Sequence, residues 1–480
     1  MRIGMSTSGI SMTRGLAILM WLALAATPAA ASQINSLTVD KITPAGDYRG
    51  VAYVRVTGVV HGVVSPNEPV VGLAALPKAA RGDYAYDSGF EAIVPAEGQP
   101  PNEAMYIDAE NRGTPVSQGA LGGFLQNHAT SYARVQWQTG ISPGVPATAQ
   151  GIGLVILRDF ARMWTRLPLR ATGWAPRPHT RLILGGISQS AWLVNTFIAE
   201  GFNVDPVTGT RVFDGAIAID GVGGWLAINR IAAERHVAGQ QPYLDPDGAP
   251  LPRRDLLTRP RTDPIYVDVA NFTDFYRLRA GLTSVAETAP NFRRYDFPSP
   301  HAVGSATTRC NDGQPIVYNT LRYGPYMRAL VLGLEKAIGV KAAANVRPLP
   351  ASRVFALGPA PRGVAWFNPL PGREVKTPVL DADGWPVGGV RFPEADQPLG
   401  RPTPPSVPPV TTRSISQTCG NNGGFQPFSA LERKARGLTE VEAYVARYRD
   451  ALARLEAEGF LLAEDLPAMT QAARAQFSAP

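Results

Sequence analysis

Cysteine and histidine are scarce in this sequence. Of 480 residues only two are cysteine, Cys310 and Cys419, and five are histidine. There is no C-x-x-C, H-E-x-x-H, S-x-x-K, Walker loop or complete G-x-G-x-x-G. Thiol-redox, zincin, phosphate-loop and dinucleotide chemistry therefore find no motif, and neither a cofactor nor a metal is expected. Charged residues make up 18% and form no lysine- or arginine-rich run. The formal charge of +7 is modest for this length and points away from nucleic acid. Beyond residue 31 no apolar stretch is long enough to cross a bilayer, and no internal repeat is present.

What remains is a composition that can bury a large core: 45% hydrophobic residues, with Gly 48 and Pro 44 signalling many turns. Residues 1–31 have the layout of an export signal. Arg2 and Arg14 are followed by an apolar core at 16–26, and Ala29-Ala30-Ala31 offers a cleavage site before Ser32. That core is too short to span a membrane comfortably, and no cysteine follows it to carry a lipid. The mature chain is expected to begin near Ser32, with charge 7 − 2 = +5, in the periplasm or secreted, without a stable membrane anchor. There Cys310 and Cys419 can form a disulfide, contributing on the order of 4–5 kcal/mol by closing so long a loop. Two free thiols are the alternative.

Apolar periodicity orders the rest. Residues 32–100 carry strand-like runs at 51–64 and 70–76, read as antiparallel strands extending one edge of a sheet. From 101 to 345 strands at 105–109, 133–138, 182–184, 214–220, 265–271 and 293–297 alternate with helices at 151–167, 225–238 and 321–338. That alternation predicts an α/β fold with a mainly parallel sheet covered on both faces. An insertion at 222–263 is expected to cover the site, with Trp192 and Trp225 as an apolar wall. The C-terminal extension, 346–480, holds a proline-dense segment at 398–409 and a helix opened by the capping box Thr439-x-x-Glu442 and closed by Gly459.

The chain is organised around Gly186-Ile187-Ser188-Gln189-Ser190, set between an apolar run and a dozen residues of helical spacing that stop at Gly201. Strand, glycine turn and helix are the context of a nucleophile elbow. The sharp turn strains the serine backbone and demands small neighbours on each side, which Gly186 and, more loosely, Ser190 supply. The Gln189 N–H at the helix start can stabilise an oxyanion. An acid and a base should follow the serine in that order. His301 comes after the last candidate sheet strand, at the end of the sheet where the elbow points, whereas His61, His128, His179 and His236 read as packing or surface residues. Asp274 follows the 265–271 strand, 301 − 274 = 27 residues before His301, with Asp220 as runner-up. A second oxyanion donor is expected in the turn Asn111-Arg112-Gly113, from Arg112 or Gly113.

With these residues placed, the chain resembles a family of large, often exported bacterial α/β-hydrolase-domain proteins. The likeness runs through Glu110-Asn-Arg-Gly113, Leu157-Arg-Asp-Phe160, the elbow, Val212-Phe-Asp-Gly215, His301-Ala302, Leu380-Asp-Ala-Asp-Gly384 and Gly424-Phe-Gln-Pro-Phe428. Ala191 stands where many relatives have glycine. The resemblance implies an α/β-hydrolase fold, and carries a serine nucleophile onto Ser188, a histidine onto His301 and an acid onto Asp274. The expectation is an exported serine hydrolase, a carboxylic-ester hydrolase acting on a small-molecule ester through an acyl-enzyme. Acyl transfer or peptide cleavage by the same residues, and a non-catalytic ligand-binding protein on the same scaffold, are the alternatives.

Overall fold

A computed structural model describes residues 31–478, except 142–143, 167–169, 172–173, 175–176, 232–248, 288, 302–306, 310–314, 318, 320, 361–372 and 405–421. The expectations for the export signal and the Cys310–Cys419 disulfide fall outside the described residues, as does His236.

Ten strands form one sheet: β1 (Gln33–Tyr48), β2 (Val51–Val64), β3 (Tyr84–Pro95), β4 (Ala104–Ala109), β5 (Thr130–Val135), β6 (Arg170–Ala171), β7 (Arg181–Ile187), β8 (Gly215–Ile219), β9 (Ile265–Asn271) and β10 (Phe292–Phe297). Their order is β10-β9-β8-β7-β4-β5-β3-β2-β1-β6. From β10 to β5 all neighbours are parallel, while β1, β2 and β3 extend that edge as antiparallel strands. The difference follows from the connections. Arg49 and Gly50, both at positive φ, join β1 to β2 in the two-residue turn that suits a twisted hairpin. Parallel neighbours need crossovers instead, and helices α1 (Ile152–Met163) and α2 (Gln189–Ala199) lead into β7 and β8. A single-turn helix, α3 (Asp274–Arg277), follows β9.

Alternate strand residues feed two cores. Ala216, Ala218, Tyr266 and Ala270 pack with α1 and α2, while Ile217, Ile219, Val267 and Val269 pack with α4 (Gly324–Ala337), α5 (Val441–Glu458) and α6 (Leu466–Ser478). The C-terminal helices therefore lie over one face of the sheet. Among the described residues no helix is long and apolar enough to cross a membrane.

Several elements depart from the sequence reading. Residues 70–76 form no strand: a short turn of helix, Leu73–Ala75, starts after Gly72. A Cβ on Gly72 would lie 2.4 Å from the Thr148 carbonyl oxygen, so this backbone packs directly on backbone. The strand expected at 133–138 is Thr130–Val135. Residues 225–230 are not helical. The Thr439 capping box does not form, because α5 begins after Glu440 without a side-chain cap; a capping box exists instead at Ser429 and Glu432. Trp192 and Trp225 are no cavity wall. Both are fully buried in the core, with their indole N–H groups donating to the Asp220 and Ala249 carbonyls.

Candidate active site

The site lies at the C-terminal ends of the parallel strands, beside β7, where strand order switches direction and such sheets open a crevice. Ser188 links β7 to α2 with φ 59 and ψ −123, a conformation that costs a non-glycine residue about 1–3 kcal/mol. The surroundings hold it there. Ser188 N donates to the Ile219 carbonyl at 2.9 Å, and its own carbonyl accepts from Trp192 N at 3.1 Å. Gly186 cannot carry a side chain, since a Cβ would sit 2.5 Å from the Ser190 carbonyl oxygen. Ser190 is no loose substitute for glycine: its hydroxyl accepts from Ile187 N at 2.8 Å and donates to Ile187 O at 2.9 Å, fastening the turn.

β9 and β10 bring the other two residues alongside. His301 Nε2 is 3.0 Å from Ser188 Oγ, and His301 Nδ1 is 2.7 Å from Asp274 Oδ1. Asp274 and His301 are both buried. The His301 amide donates to Thr273 Oγ1 at 2.7 Å, and Asp274 Oδ2 accepts from Asn271 N at 2.8 Å. Asp220, at the end of β8, stands 3.5 Å from His301 Nδ1 through its Oδ2. Asn271 Nδ2 donates to Asp220 Oδ1, and Ser299 Oγ donates to Asn271 Oδ1. Asn271, Thr273 and Ser299 were not singled out in the sequence. The only signal is that two of them precede the acid in Asn271-Phe-Thr-Asp274.

Burial and then the Arg277 guanidinium, 3.4 Å from Nε2, push His301 below its ordinary value of 6.5, while Asp274 pulls the other way. Burial and the neighbouring Asp274 charge push Asp220 well above the carboxylate range. Asp220, Asp274 and His301 also offer ligand-type atoms within 4.8 Å of one another, although His301 Nδ1 is already turned to Asp274.

The loop candidates fare unequally. Asn111 to Thr114 form a tight hairpin, with Arg112 at φ 50 and Gly113 at φ 77 and reciprocal backbone bonds of 2.9 and 3.0 Å between its ends. Arg112 N, expected to face an oxyanion, instead donates to Gln189 Oε1 at 3.0 Å. The Gln189 side chain, fully buried, thus pins this loop to the start of α2. Asn111 Nδ2 adds a bond to the Ile187 carbonyl at 3.1 Å. The other described histidines have different partners: His61 with Thr38 and Asp87, His128 with Glu464, and His179 with Ser131.

Strand order and elbow are those of an α/β hydrolase, and the sequence agrees: the chain belongs to the alpha/beta hydrolase domain family, whose sequence model matches residues 48–471. No curated protein sequence matches it. Among solved structures it is similar to a CE15 glucuronoyl esterase from Teredinibacter turnerae, at 12% identity and TM-score 0.29, over 49% of this chain and 60% of that one. It is also similar to an a/b serine hydrolase without lid from Xanthomonas campestris, at 10% identity and TM-score 0.25, over 48% and 84% of the two chains. A third is the rice cell wall degrading esterase LipA from Xanthomonas oryzae, at 9% identity and TM-score 0.28, over 56% and 90%.

Proposed function

We propose that the protein is an exported serine hydrolase that cleaves carboxylic esters of small molecules through an acyl-enzyme. The observation that carries this reading is the line Ser188 Oγ, His301 Nε2, His301 Nδ1, Asp274 Oδ1, with steps of 3.0 and 2.7 Å at its two hydrogen bonds. Ser188 attacks the acyl carbon while His301 takes its proton, and Asp274 holds the imidazole tautomer and stabilises imidazolium. His301 then protonates the departing alkoxide, and the alcohol leaves. In the second half His301 deprotonates water, which attacks the acyl carbon held by Ser188, and then returns that proton to Ser188 Oγ as the C–Oγ bond breaks and the acid is released. The Gln189 amide, first of α2, stabilises the oxyanion with the help of the helix dipole, and the Gly113 amide is the second donor because that of Arg112 is committed to Gln189.

Residues 101–345 carry this chemistry in our reading, with 32–100 and 346–480 as extensions. In this reading Ser32 is the first residue of the mature chain; it accepts from Arg162 through its carbonyl and donates to Glu68 through its hydroxyl. N-terminal sequencing of the exported protein tests that point.

A fluorophosphonate probe and short aryl esters test the chemistry. The parent chain should be labelled and should turn over ester, and Ser188→Ala should lose both. Labelling that survives in Ser188→Ala would sink the assignment of the nucleophile. A folded parent chain that is neither labelled nor active would leave a binding protein on this scaffold.

A further inference from the structure

A cavity of about 1000 Å³ lies between the start of α4 and the C-terminal helices, at the upper end of the size that encloses a small molecule. Its wall begins at Ile187, the residue before Ser188, and at Tyr323. Val116, Leu321, Trp385, Leu399, Phe425 and Met469 supply much of the apolar surface.

Polar residues of the C-terminal extension interrupt that surface, among them Glu394, Tyr444 and Tyr448. Tyr448 donates to Glu394 Oε1 at 2.6 Å. Glu394 Oε2 and the Tyr444 hydroxyl are buried and have no hydrogen-bond partner among the described residues. Leaving such a group unmatched costs about 1–3 kcal/mol, so a ligand that brings a hydroxyl to either relieves the cost. Burial pushes the Glu394 carboxyl up, toward its neutral form, which suits a hydroxyl better than a cation. The Arg328 guanidinium in the same wall is already paired with Asp465.

We propose that this cavity receives the bulkier half of the ester, an aromatic or alicyclic group carrying a hydroxyl that meets Glu394 or Tyr444. The C-terminal extension would then set substrate choice. The proposal rests on the esterase reading for the word ester, and on the cavity alone for the hydroxylated ring.

Calorimetric titration of full-length Ser188→Ala, which cannot consume the ligand, separates the two. The probes are methyl para-hydroxycinnamate against methyl cinnamate, with the ring on the acyl side, and para-hydroxyphenethyl acetate against phenethyl acetate, with the ring on the alcohol side. In at least one pair the hydroxylated member should bind about tenfold tighter. Adding Glu394→Gln, nearly isosteric, or Tyr444→Phe should shrink that gap to about threefold or less, and Met469→Trp should weaken both members by filling the wall. Equal affinities within both pairs, or a gap that survives both Glu394→Gln and Tyr444→Phe, overturns the proposal. Turnover by the parent chain without any hydroxyl preference removes this inference and leaves the esterase. A hydroxyl preference in Ser188→Ala without turnover in the parent chain upholds the cavity and removes the esterase.

Discussion

Asp220 Oδ2 stands 3.5 Å from His301 Nδ1, facing the same nitrogen that Asp274 Oδ1 reaches at 2.7 Å. The ends of β8 and β9 thus bring two buried carboxyl groups to one imidazole. Two charges this close in a dry site repel, and a shared proton relieves the repulsion. Burial and the Asp274 charge push Asp220 well above the carboxylate range, so the proton belongs on Asp220. Asp274→Asn is expected to lower kcat on an aryl ester about 10³-fold or more, because the wrong imidazole tautomer is then favoured. Asp220→Asn, which keeps a neutral hydrogen-bonding group in place, should cost about tenfold or less. Steady-state kinetics of the two variants decides the matter, and the opposite ranking would move the orienting role to Asp220.

The pH profile reports on the same imidazole. In the proposed mechanism His301 acts as base only when neutral, and burial, Arg277 and Arg112 all disfavour the charged ring against the pull of Asp274. The acid limb of kcat/KM should therefore have its midpoint below 6.5, the ordinary histidine value. Arg277→Gln removes a positive charge beside Nε2, which stabilises imidazolium, so the midpoint should move to higher pH. A midpoint that stays put or falls would mean that the guanidinium does not act on the ring.

How much of this was legible depended on whether the constraint was local. The elbow could be read because Gly186, Ser188 and Ser190 lie within five residues and one turn imposes all three requirements. The 265–271 strand was bounded correctly, since an apolar run ends there at Asn271. His301 followed from topology, being the histidine next after the last strand of the sheet. The cradle was not legible, because Asn271 and Ser299 meet only when two strand ends are side by side. Strand β5 was placed too late because it opens on polar residues: Thr130 is fully buried but donates to Glu335 at 2.8 Å, a contact far away in sequence. The partner of the Arg112 amide was not legible for a similar reason, as nothing in its neighbours announces the Gln189 side chain that accepts from it.

The elbow makes a stability prediction separate from chemistry. A methyl group at Gly186 would meet the Ser190 carbonyl carbon and oxygen and the Ala191 nitrogen at 2.5–2.8 Å, all backbone atoms at the start of α2 that cannot swing away. Gly186→Ala should destabilise the fold by about 2 kcal/mol or more and lower fluorophosphonate labelling in the fraction that stays folded. Ser190→Ala removes a hydroxyl bonded to both the amide and the carbonyl of Ile187, and should cost about 1–3 kcal/mol. Urea denaturation gives both figures. A Gly186→Ala protein as stable and as reactive as the parent would mean that the turn has room to relax.

Far from the elbow, Arg158 on α1 forks onto Glu68, with bonds of 2.5 and 3.0 Å, and also reaches Asp159 at 3.0 Å. The two side chains of the fork are only 4% and 7% exposed. Burial pushes the Glu68 carboxyl up, but the Arg158 hydrogen bonds and charge outweigh it, and the net value lies below the ordinary 4.5. The unfolded chain therefore takes up this proton at a higher pH than the native one does. The contribution of Glu68 is complete above its unfolded value and is lost as pH falls through the lower folded value. Glu68→Gln keeps the shape but leaves a buried guanidinium short of a charge, and should cost about 3 kcal/mol at neutral pH. Below pH 4.5 the parent carboxylate is itself being protonated, so the stability difference between the two proteins should shrink. Urea denaturation across that range measures it, and a deficit that stays constant with pH would show that Glu68 acts through its shape and hydrogen bonds and not through its charge.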